Sequence, residues 1–152
     1  MNNYQRIYVE NELFLKESFY VEQDIDHYLR KVLRVNNGYK IKIFNQRCGE
    51  FLAQLTVEKK QIKLDVEKFL RPSPTLQMLH LGVCIVRNSI MSEIISQAVQ
   101  LGATSISPII SQYTNFSQFN FERYNHIAKE AVEQSGRCDK VAIQAPTLLN
   151  NF

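Results

Sequence analysis

The hydrophobic pattern of this chain changes period at one place, and that change limits what it can fold into. Up to about residue 70, apolar and polar residues alternate over short stretches: QRIYVE, SFYVE, YKIKIF, EFLAQLTV and QIKLDVEKFL. Alternation of this kind, broken by tight turns, is the signature of half-buried strands. Beyond Leu76 the apolar residues run almost continuously to Val86 and then recur at helical spacing. Between the two regimes lies Arg71-Pro72-Ser73-Pro74. Its prolines remove backbone donors and disfavour both a helix and a central strand. The pattern predicts two small domains, residues 1–71 and 75–152.

In the first, Asp24 is placed to cap a helix whose Ile25, Tyr28, Leu29, Val32 and Leu33 repeat at i, i+3, i+4, i+7 and i+8. Asn36-Asn37-Gly38 ends it with residues that tolerate positive φ. Four or five strands with tight turns around one helix make a small barrel. In the second, Ile90, Met91, Ile94, Ile95, Ala98 and Leu101 form one helix face closed by Gly102. A strand follows over 104–110, then the polar–aromatic connection YTNFSQFNF. A second helix carries Tyr124, Ile127, Ala128, Ala131 and Val132, with Gly136 at its C-cap and a last strand over 141–145. Near-continuous apolar strands alternating with helices predict a parallel sheet covered by helices.

An apolar fraction of 45% is enough to build a core, and no stretch approaches the length of a membrane span. The start, MNNYQRIYVEN, lacks the layout of a signal peptide. Cys48, Cys84 and Cys138 are odd in number and widely spaced, so they read as small apolar residues of a reducing cytoplasm.

The net charge of +3 is uneven: residues 1–74 hold 13 Lys/Arg against 10 Asp/Glu, and residues 75–152 hold five of each. His27 to Cys48 contains Arg30, Lys31, Arg34, Lys40, Lys42 and Arg47 and no acid. Such a block suits phosphate contacts, and it equally suits the solvated face of a small domain. His27, His80 and His126 have no metal-ligand spacing, and Ser135 has no Asp–His partner nearby in sequence, which disfavours a hydrolase. At the end of the second helix, Glu133, Gln134 and Ser135 are followed by Arg137. Polar and basic groups there can be explained by the unpaired carbonyls of a helix end.

Taken in order, RIYV, HYLRKVLR before Gly38, FNQRCGEFLA, IVRNSIMSEIISQAVQLGA, SPIIS and EAVEQSGR make the chain resemble the bacterial ribosomal RNA small subunit methyltransferase E family. The resemblance implies a PUA-like RNA-binding β-barrel followed by an α/β domain of the SPOUT class. It also implies S-adenosylmethionine-dependent methylation of N3 of a uridine in small-subunit rRNA. Arg6, His27, Arg30, Lys31, Arg34, Lys42 and Arg47 become candidates for rRNA phosphates, and Gln134 and Arg137 for the uracil edge and its phosphate.

The family's cofactor loops, such as GPEGG and a later LG-x-RILR run, have no counterpart here. The five glycines are never neighbours and form no GxGxxG pattern. The expectation is therefore the first half of a SPOUT domain, without the knotted cofactor segment, that binds no S-adenosylmethionine by itself. A second polypeptide could supply the rest. A non-catalytic rRNA-binding module and a split-gene remnant are the alternatives. The family homodimer uses the knotted part, so it is not carried over. The domain meant for chemistry has also lost charge: Arg87-Asn88-Ser89-Ile90-Met91 stands where the family shows Lys-Gly-Asp-Lys-Met, Gln100 stands where it has an acid, and Ser111-Gln112-Tyr113-Thr114 lacks the basic residue of its SER-S segment.

Overall fold

The computed structural model describes residues 4–75, 77–114 and 119–152. They form two compact units, Met1–Ser73 and Pro74–Phe152.

The first unit is a five-stranded mixed sheet with one short helix. Its strands are β1 (Arg6–Tyr8), β2 (Ser18–Tyr20), β3 (Lys40–Asn45), β4 (Gly49–Val57) and β5 (Ile62–Arg71), in spatial order β1-β3-β4-β5-β2. β1 runs parallel to β3, and the remaining pairs are antiparallel. Alternation sends Ile41 and Ile43, Ala53 and Leu55, and Ile62, Leu64 and Val66 to one side, where Ile7, Val9, Ile25 and Leu29 join them. Each large side chain removed from water there contributes roughly 1.5–3 kcal/mol. β5 is bulged twice against β4, which bends the sheet around this core. Gly49 starts β4 with φ 86°, and a Cβ there would collide with the Arg71 carbonyl oxygen. Only glycine fits that turn.

The helix differs from its sequence pattern. α1 spans Gln23–His27 and continues as one π-helical turn, Tyr28–Val32, in which the Leu33 N–H donates to the Tyr28 carbonyl at 3.1 Å. The N-cap is Glu22 rather than Asp24. A wider turn breaks the 3.6-residue repeat, so Ile25 and Leu29 are buried while Val32, expected in the apolar stripe, is exposed. The residues adopting positive φ here are Arg34 (52°) and Gly38 (82°), not Asn36 or Asn37.

The second unit is a parallel sheet with two helices: β6 (His80–Cys84), α2 (Asn88–Gln100), β7 (Ser105–Ile110), α3 (Phe121–Ser135), β8 (Ala142–Ile143) and β9 (Thr147–Leu148). β7 pairs with β6 on one side and with both β8 and β9 on the other. Pro108 explains the split. The Ile106 carbonyl accepts from the Gln144 N–H, so Pro108, of the same parity, faces the β8/β9 side. Having no N–H, it falls in the gap between the two short strands. The expected strand over 141–145 is therefore two residues long.

The strand expected from Leu76 begins at His80, and Leu76 itself lies outside the described residues, as do 115–118 of the expected connection. α2 buries Met91, Ile95 and Val99 instead of the broader face expected, leaving Ile90 and Leu101 exposed. α3 buries Tyr124, Ala128, Ala131 and Val132 and ends at Gly136 with φ 80°.

Candidate functional site

The two candidates at the end of α3 have different surroundings. Gln134 is exposed on the last turn. Arg137 is largely enclosed and fully engaged within the fold. Its Nε donates to Asp139 Oδ1 at 2.8 Å and its Nη2 to Oδ2 at 2.5 Å, a two-point pair with a buried carboxylate. Its Nη1 donates to the carbonyls of Val99 (2.6 Å) and Ala103 (2.9 Å), at and just beyond the C-terminal end of α2. A cation at a helix C-terminus satisfies carbonyls that have no intrahelical partner and opposes the negative end of the helix dipole. Arg137 thus ties the turn after α3 to the end of α2, with Gln134 three residues before it.

The basic candidates of the first unit divide into two groups. His27, Arg30 and Lys31 lie on the helical segment, whose Ile25 and Leu29 enter the core, and Arg34 follows just beyond its end. Arg6 and Lys42 are register partners on the opposite, outward side of β1 and β3, since their neighbours Ile7, Ile41 and Ile43 point inward. His27, Lys31 and Arg34 are exposed. Arg30 is tied down: Nε donates to Asp26 Oδ2 at 2.8 Å and Nη2 to the Glu58 carbonyl at 2.6 Å. Arg47 is exposed, donates to the Glu10 carbonyl and lies 3.9 Å from Glu12.

One group escaped sequence reading. Glu50 on β4 is buried between two arginines: Arg6 Nε donates to its Oε1 at 2.7 Å and Arg71 Nε to its Oε2 at 2.5 Å. Arg6 also lies 4.1 Å from the centre of the Phe44 ring, a cation–π contact, and Tyr8 meets that ring edge-on. Burial by itself would raise the Glu50 pKa, but the hydrogen bonds and charges of Arg6 and Arg71 outweigh it and hold the carboxyl below its ordinary range. The only signal in the sequence was a lone acid in an apolar strand, whose partners are 44 and 21 residues away.

In the second unit His80 Nε2 lies 2.9 Å from Ser107 Oγ, and the Tyr124 hydroxyl donates to Asn88 Oδ1 at 2.6 Å. Burial raises the Tyr124 pKa. Among the described residues no cluster of His, Cys, Asp or Glu could hold a metal, and no helix is long and apolar enough to cross a membrane. The buried polar residues described in this unit, Ser107 and Asp139, are paired with His80 and Arg137. Among the described residues, the one buried side-chain polar atom with no partner is Ser73 Oγ, at the end of the first unit.

Residues 72–152 match the RNA methyltransferase domain family, and residues 23–67 match the RNA methyltransferase PUA domain. Proteins named ribosomal RNA small subunit methyltransferase E are similar to this chain. That of Rickettsia conorii is 30% identical over 98% of the chain and 62% of its own length. That of Buchnera aphidicola subsp. Acyrthosiphon pisum is 30% identical over 87% and 55%. A Legionella pneumophila methyltransferase solved with bound SAM superposes with a TM-score of 0.87 at 24% identity, over 99% of this chain and 65% of its own. A Neisseria gonorrhoeae ribosomal RNA small subunit methyltransferase E bound to S-adenosyl methionine gives 0.80 at 23%, over 96% and 62%. The chain therefore spans less than two thirds of the length of these relatives. With a PUA-like sheet joined to a strand–helix–strand sheet and both matched in that order, the chain belongs to the ribosomal RNA small subunit methyltransferase E family of RNA methyltransferases.

Proposed function

We propose that this chain supplies the rRNA-docking unit and the first part of the methyl-transfer unit of a cytoplasmic enzyme that methylates N3 of a uridine in small-subunit rRNA. The observation that carries this reading is the succession of the two family domains along one chain. S-adenosylmethionine supplies an electrophilic methyl group when bound. Its pocket belongs to the part of the family fold that this chain does not match, so activity requires that part, in the same polypeptide or in a second one.

The residues that are present can prepare the acceptor. Methylation at N3 requires the uracil to leave its stack, lose its imide proton and present the nitrogen in line with the methyl. Gln134 carries an amide with both donors and an acceptor, matching the uracil edge. Arg137 is a positioning residue: by clamping the turn after α3 to α2 it sets where Gln134 stands. Arg6, Lys42, His27, Lys31, Arg34 and Arg47 are assigned to phosphate contacts, and Arg30 to holding α1 in place.

The test combines the chain with the C-terminal part of the Rickettsia conorii relative, as a fusion or a separate polypeptide. It is incubated with small ribosomal subunits and S-adenosylmethionine, and the digested 16S rRNA is examined by mass spectrometry. N3-methyluridine at a single position is expected, reduced at least about tenfold by Gln134→Ala, the cost of losing one or two transition-state hydrogen bonds. Methylation at carbon or ribose, or none, would overturn the assignment.

A further inference from the structure

We propose that the phosphate-binding surface of the first unit is the outward face of its sheet, and that Lys68 and Arg71 belong to it alongside Arg6 and Lys42. The strand register carries this inference. Arg6 pairs with Lys42, Lys42 with Leu52, and Leu52 with Lys68, so one row across β1, β3, β4 and β5 carries three cations. The next row is Tyr8, Phe44, Glu50 and Arg71. The two bulges in β5 make this possible, because they shift β5 against β4 so that Lys68 and Arg71 both fall into these rows.

Together the two rows hold four cations and one acid, an excess of three positive charges. Strands lie about 4.8 Å apart and alternate residues about 7 Å apart, so the charges span an area of about 14 by 7 Å. The row beyond, Lys40, Gln54, Asp65 and Ser18, carries no such excess: Lys40 is paired with Glu67 at 2.6 Å, and Asp65 with Lys63 of the following row at 3.3 Å. Among the described residues neither Lys42 nor Lys68 has an ion-pair partner. The buried Glu50 holds the Arg6 and Arg71 side chains in fixed directions, so less side-chain entropy is lost when an anion binds.

The ligand that fits is the phosphodiester backbone of RNA: a concentrated patch of net positive charge on a strand face, with Phe44 buried and withheld from base stacking. This inference rests on the rRNA-docking reading above and extends it to residues outside the acid-free run.

The full chain is titrated with a 16S rRNA transcript between about 50 and 200 mM salt. For Lys42→Ala/Lys68→Ala, the expected result is about tenfold weaker binding, with the slope of log affinity against log salt shallower by about 1.4 to 1.8, the value for two lost phosphate contacts. Arg71→Gln should lower the slope by about one contact more. Lys59→Ala/Lys60→Ala removes the same charge from the exposed β4–β5 turn and should leave the slope unchanged. Thermal melting checks that each variant is folded. If the wild type binds and both double variants weaken it equally, or neither does, the sheet face is overturned while docking itself stands. If the wild type shows no salt-dependent binding, the docking reading fails, and this inference with it.

Discussion

Glu50 shows how much a single side chain depends on partners far away in sequence. A carboxylate removed from water costs several kcal/mol unless its oxygens are satisfied, and here each oxygen takes one arginine Nε. Its pKa is therefore lower in the folded state than the ordinary 4.5. A depressed carboxylate contributes stability that is fully present above the unfolded pKa and disappears as pH falls through the folded one. Glu50→Gln should cost about 1–3 kcal/mol at neutral pH, as for a hydrogen-bonded charge replaced by a neutral amide. The gap should close progressively below about pH 4.5. Urea unfolding of both proteins from about pH 7 to pH 3 checks this, and a gap independent of pH would contradict it.

Among the elements, α2 and α3 are joined by a polar clamp as well as by apolar packing. Arg137 meets a buried Asp139 and two carbonyls from the end of α2. Arg137→Ala would strand the Asp139 charge and should destabilise the second unit by about 3–5 kcal/mol. Lysine should recover only part of this, since it cannot make the two-point pair. A melting temperature for Arg137→Ala within a degree or so of the wild type would show that the clamp carries little. The π-helical turn sets where α1 departs from its pattern. Periodicity identifies Ile25 and Leu29 because they lie before or early in the π-helical turn. Val32 lies after its extra residue and so rotates out to solvent.

For the molecule as a whole, the uneven covering of the second unit matters most. β6 pairs with a strand on one side only among those described, and around it Met78 and Leu79 are 92% and 51% exposed. Leu148 and Leu149 are each 55% exposed and Phe152 61%. Val141 and Ile143, by contrast, are buried at 6% each. An open strand edge beside exposed apolar side chains is a site for association. The purified chain should self-associate at raised concentration and bind an apolar-sensing dye. Adding the remaining part of the family fold should suppress both. Light scattering that shows a monomer throughout, with no dye signal, would contradict this.

What the sequence determined is whatever depends on neighbours a few residues apart. The alternating strands, the switch to helical spacing after the prolines, the αL glycine at 136 and the order of the family motifs are all of this kind. The candidate site was legible only in part, for an electrostatic reason. The run from His27 to Cys48 contains no acid, yet folding brings Asp26 to Arg30, Glu67 to Lys40 and Glu12 towards Arg47. Charge in a folded protein is set by distance in space, so three of the six cations in that run are offset by acids outside it. Arg137 was identifiable as a residue of note, but its task was not, because its carbonyl partners lie 34 and 38 residues earlier. The outward rows of the first sheet exist only through strand register and two bulges, and those are decided by the packing of the core beneath them.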